Sequence, residues 1–122
     1  MGKIDSFEHR LADIIRGFFQ SKLGVKPQEI DVSQQADLII LRMCGFLSQA
    51  EAAMVERQKD RQVLTTYYER ILENLYPLLR VVIQEACKRP LVKRHAAVDL
   101  SRDECIYLLT LGEEPAVAER QP

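Results

Sequence analysis

Residues 47–88 read LSQAEAAMVERQKDRQVLTTYYERILENLYPLLRVVIQEACK, and the way this stretch divides decides the fold. Within it Leu64, Tyr68, Ile71, Leu75, Leu78 and Val82 alternate steps of four and three residues. Such a 3.5-residue repeat lays one narrow apolar stripe along a helix and suits pairing with a second helix. Tyr67, Leu72, Leu79 and Ile83 widen the stripe to what a sheet or a dimer core needs. Ser48-Gln49-Ala50-Glu51 is a capping box, with Ser48 at the N-cap and Glu51 three residues on. As one helix to Cys87 the segment would measure about 60 Å at 1.5 Å per residue. A domain of this size has a radius of gyration of about 14 Å. The polar run Arg57-Gln58-Lys59-Asp60-Arg61 is therefore expected to break or bend the helix, with Asp60 capping the new one. Pro77 is expected to kink the second part about one turn earlier.

Outward from this stretch the chain alternates its periods. On the N-terminal side, Phe7, Leu11, Ile14, Ile15, Phe18 and Phe19 form one helical face over about 7–22, with Asp5 or Ser6 as N-cap and Gly24 as C-cap. Glu29 to Gln34 alternates as a strand, with Ile30 and Val32 on one face. Asp37 to Phe46 is a stronger strand, apolar at every position through Leu38-Ile39-Ile40-Leu41, so it reads as central and covered on both faces at its start. A hairpin over Gln34-Gln35-Ala36-Asp37 joins the two, although it lacks Gly or Asn. On the C-terminal side Arg89-Pro90 ends the long helix. Leu91 to Leu100 and Glu104 to Leu111 are strands joined at Ser101-Arg102-Asp103. The order α-β-β-α-α-β-β predicts an α+β domain over 1–111: a mainly antiparallel four-stranded sheet with helices on one face. Residues 112–122 read as a flexible C-terminal tail.

The composition narrows the function classes. The chain has 122 residues, 47% of them hydrophobic, and 17 basic against 18 acidic residues give a net charge of -1. That balance argues against a dedicated nucleic-acid binder. Three cysteines, Cys44, Cys87 and Cys105, form neither an even set nor a metal-ligand spacing, so no disulfide framework, metal or cofactor is expected and a reducing cytoplasm fits. All three read as small buried hydrophobes. No run of about 18 apolar residues exists to span a bilayer, and no signal peptide is recognisable. Met1 to Ser6 fits the short N-myristoylation pattern, which a simple helix start explains as well.

Few residues carry chemistry. Lys88, Arg89, Lys93 and Arg94, beside His95, form the one basic cluster. It reads as a phosphate or acidic-partner site, or as cations placed well at a helix C-terminus and on a strand. Arg42 lies on the face of Leu38, Ile40 and Cys44 and must find a carboxylate or a cleft. No cysteine is placed by sequence beside His9 or His95, so thiol catalysis is not expected.

The stretch Asp37-Leu38-Ile39-Ile40-Leu41-Arg42-Met43-Cys44-Gly45-Phe46-Leu47-Ser48-Gln49-Ala50-Glu51 resembles the signature of the MpsC-like family. That signature runs from an acidic residue through aliphatics, Arg, Gly and Leu-Thr to Ala-Glu. Leu23-Gly24 with Pro27, Arg61, the Leu72 to Leu79 stretch with Pro77, and the closing strands with Asp99 follow the family pattern too. Val25-Lys26, the absence of Pro and Gly in 57–60, and Cys44 depart from it. The resemblance implies an accessory component of a sodium-translocating, membrane-potential-generating system, with no catalytic residue to carry over. The expectation is a non-enzymatic, cytoplasmic accessory or regulatory protein. It would be a homodimer through Leu64, Tyr68, Ile71, Leu75, Leu78 and Val82, and could act peripherally on a membrane transport complex. The alternative is a small-molecule or anion sensor using Arg42 and the cluster at 88–95.

Overall fold

The computed structural model describes residues 6–113. The lead Met1–Asp5, with most of the lipidation pattern, and residues 114–122 of the expected tail lie outside the described residues. Helix α1 spans Phe7–Leu23, strands β1 and β2 span Glu29–Gln35 and Leu38–Cys44, and helices α2 and α3 span Gln49–Val55 and Gln58–Cys87. Strands β3 and β4 span Leu91–Asp99 and Glu104–Leu111, with one short 3-10 turn at Leu100–Arg102 between them. The α+β order is the expected one. The sheet is antiparallel throughout, in the order β1-β2-β4-β3.

Local chemistry sets each boundary. The Ser6 hydroxyl accepts from His9 N at the start of α1, and Gly24 closes the helix at φ 72°, its N–H donating to Gln20 O. The long segment breaks where the polar run begins, but Arg57 is the N-cap, without a side-chain cap bond, and Asp60 lies inside the first turn of α3 instead of capping it. Arg57 is extended at φ -106°, ψ 130°, and Arg61 Nη1 donates to Val55 O, covering a carbonyl that the end of α2 leaves bare. After the break α3 continues for 30 residues, about 45 Å, and passes Pro77 without ending. The first hairpin turns on Ala36 at φ 53°, a position that sequence composition does not mark. Its cost is offset by tethering: Leu111 N donates to Asp37 O, and Arg89 holds the Asp37 carboxylate.

One core joins the elements. Ile39, Leu41 and Met43 on β2 face Leu109, Tyr107 and Cys105 on β4, and all six are buried. Helix α1 adds Leu11, Ile15, Phe18 and Phe19 to that core, and α3 adds Leu64, Tyr68, Leu72, Leu79 and Ile83. Both helices therefore lie on one face. The expected second cover over the start of β2 is not supplied by the described residues: Leu38 and Ile40 are half-buried, and Leu108 is exposed.

Candidate functional site at the β2–α2 junction and the outer face of α3

The junction is built around Gly45. It sits at φ 72°, and a Cβ there would lie 2.7 Å from Gln28 Cβ, so glycine is required on two counts. Gln28 N donates to the carbonyls of Cys44 and Gly45 and holds the chain against it. From the other side Asp103 clamps the turn. Its carbonyl accepts from Gly45 N, and its Oδ1 accepts from the N–H groups of Phe46 and Leu47 at 2.8 and 3.1 Å. Asp103 stands in the left-handed region at φ 53°, on the β3–β4 turn. Sequence reading marks it only as a turn residue; a side chain 57 positions from its partner has no local signal.

The capping box forms as expected, and it reaches further. Ser48 Oγ accepts from Glu51 N, and the Glu51 carboxylate accepts from Ser48 N. Glu51 Oε1 also accepts from the Tyr68 hydroxyl at 3.0 Å, which ties α2 to α3. Burial and that carboxylate hold the Tyr68 phenol protonated well above its ordinary range. The Tyr68 ring meets Phe46 edge-on at 5.3 Å. Next to the junction opens a cleft of about 530 Å³, bounded by Leu23, Val25, Phe46, Leu47, Tyr67 and Ile71. Lys26, Gln28, Ser48 and Glu51 line it as well, so polar and apolar groups share its walls, and it runs onto α3.

The sequence-predicted cations are not brought together. On the open face of the sheet Arg42 donates to Glu104, with Asp31 at 3.5 Å. At the end of the sheet Arg89 donates to Gly112 O and Asp37. Arg94, on the helix-covered side, makes two bonds to Glu73 and lies 4.2 Å over the Tyr76 ring. That guanidinium holds the Glu73 carboxyl below its ordinary range. Lys88, in the left-handed region at φ 60°, and Lys93 are exposed. Strand alternation separates Lys93 from Arg94, because successive side chains point to opposite faces.

The thiols are passive. Cys105 is buried and pushed up to about 12 by desolvation; Cys44 and Cys87 are only half-buried, and desolvation raises them too. Among the described residues no group of three or more His, Cys, Asp or Glu could hold a metal ion.

The seam of α3 divides. Leu64 and Tyr68 are buried within their own chain, Ile71, Leu75 and Val82 are half-buried, and Leu78 is 48% exposed. A 3.5-residue repeat slips by about 20° per heptad on a straight helix. The seam therefore begins on the inner face, and one of its two rows drifts to the outer margin at Ile71 and Leu78, while Leu75 and Val82 keep contact with the core. Leu72, Leu79 and Ile83 take over the inner face, while Tyr67 and Val81 join the outer one.

The sequence model of the family described as Na+-translocating membrane potential-generating system (MpsC) matches residues 3–113. The chain belongs to the MpsC family. It matches no curated protein and no solved structure. The family-like stretch from Asp37 to Glu51 is β2 with the junction itself. Four of its polar residues are engaged inside the molecule: Asp37 with Arg89, Arg42 with Glu104, Ser48 with Glu51, and Glu51 with Tyr68. No helix among the described residues is long and apolar enough to cross a membrane.

Proposed function

We propose that this chain is a non-enzymatic accessory or regulatory component of a sodium-translocating, membrane-potential-generating system and that it works as a homodimer in the cytoplasm. Membership of the family supports the process. The observation that carries the association is the outer stripe of α3, where Tyr67, Leu78 and Val81 stand exposed beside half-buried Ile71, Leu75 and Val82. Each such side chain is worth roughly 1.5–3 kcal/mol when fully buried, and a two-fold pair is the commonest way to bury it. An accessory protein of this kind would reach the membrane through a protein partner. An anion sensor would need a guanidinium open to its ligand, and Arg42, Arg89 and Arg94 each already hold a carboxylate.

The test has two parts. Light scattering on purified protein at micromolar concentration is expected to give twice the 14.0 kDa chain mass, and Leu78→Glu is expected to halve it. Affinity purification from the native membrane fraction is expected to recover subunits of a cation-transport complex. A monomeric wild type would remove the homodimer, and recovery of no membrane protein would remove the accessory role.

A further inference from the structure

The outer stripe is self-complementary when one copy is reversed. At 100° per residue, Tyr67, Ile71, Leu78 and Val82 fall within about 60° of one another on α3, with Leu75 at the edge. Their spacing reads the same from either end about a point between Asn74 and Leu75. A two-fold axis perpendicular to the helix requires that symmetry, as an antiparallel pair has: if one residue touches a second across the axis, the second touches the first. The charges agree. Asp60 lies on the same line in the first turn of α3, and Lys88 caps its last turn. A parallel pair would set Asp60 against Asp60 and Lys88 against Lys88. An antiparallel pair sets unlike ends together and opposes the two helix dipoles.

Resting on the homodimer reading above, we infer that two copies pair through antiparallel α3 helices, with the axis between Asn74 and Leu75 and Ile71 of each copy against the partner's Leu78. The stripe from Tyr67 to Val82 runs about 22 Å. Helix α1 packs on the same core as α3, and its Ile14 is also exposed. If α1 takes part, so that the contact is about two helices wide at about 10–12 Å each, it would cover about 500 Å² per copy, or about 1,000 Å² in total, the least expected of a specific interface.

The test is a charge exchange read by sedimentation equilibrium, with circular dichroism to confirm folding. Ile71→Glu and Leu78→Lys alone are each expected to raise the dimer Kd about tenfold or more, because each forces a charge against an apolar partner. The double variant places each new glutamate against a new lysine and is expected to recover most of that loss. A photo-crosslinking residue at Asn74, which leaves the stripe intact, is expected to capture residues 72–77 of the other copy. A wild type that stays monomeric to about 100 µM overturns this geometry together with the homodimer reading. A wild-type dimer indifferent to both single variants overturns the geometry alone, and points to the open sheet face of Leu38, Ile40, Ile106 and Leu108. Weakening without recovery, or crosslinks from Asn74 to other residues, overturns the register.

Discussion

Leu78 and Leu79 are neighbours on one helix. Leu79 is completely buried, whereas Leu78 is 48% exposed. The same contrast runs the length of α3, between an inner stripe of Leu64, Tyr68, Leu72, Leu79 and Ile83 and an outer one through Tyr67, Ile71 and Leu78. Residue type does not separate the stripes; a rotation of about 100° does. A helix that follows one sheet keeps its inner face at 3.6 residues per turn. A 3.5-residue seam drifts off that face and leaves an apolar surface outside the domain.

The contrast is broken most directly by truncating its buried member. Leu79→Ala is expected to cost about 2–5 kcal/mol, by lost transfer energy and the cavity left behind. Urea unfolding measures it, and a loss no larger than that of Leu78→Ala would erase the distinction. Next comes the junction that sets where the inner stripe meets α2. Gly45→Ala places a Cβ at positive φ against Gln28 and is expected to cost about 1–3 kcal/mol. An unchanged thermal midpoint would show that Gln28 yields.

Two buried tyrosines sharpen the comparison. Tyr68 donates to Glu51, whereas Tyr107 Oη has no hydrogen-bond partner among the described residues. Tyr68→Phe is expected to cost about 1 kcal/mol, and Tyr107→Phe is expected to cost nothing or to stabilise. Equal losses in chemical unfolding would mean that both hydroxyls are bonded.

Glu73 lies on the side of α3 that meets β3, and its folded carboxyl sits below its ordinary value because of Arg94. A lowered folded pKa stabilises above the unfolded value, and the gain is lost as pH falls through the folded one. Wild type is expected to exceed Glu73→Gln in thermal midpoint at neutral pH, with the gap closing on the acid side of the usual glutamate range. A gap independent of pH would assign the effect to packing. A small loss is expected for Leu78→Ala in chains dilute enough to be separate, less than about 0.5 kcal/mol. A larger loss would mean that Leu78 supports the fold of the single chain.

Much of this was legible along the chain because it is local. Caps at Ser6, Gly24 and Ser48, the periods of helix and strand, the break before Gln58 and both hairpins depend on residues within about one or two helical turns. The face of Arg42 was readable from alternation, since the sheet repeat is two. The identity of its carboxylate was not, because Glu104 is 62 positions away.

What the amino-acid order determined by itself is therefore the set of elements and their apolar faces. Tertiary structure alone decided that β4 lies between β2 and β3, which brings Asp103 to the junction and Glu104 to Arg42. It alone dispersed the cations at 88–94, which look clustered in one dimension and take separate partners in three. It also divided the seam of α3. Periodicity establishes that a stripe exists, but the angle at which the helix meets the sheet selects which residues it covers, and that angle is a property of the packed whole.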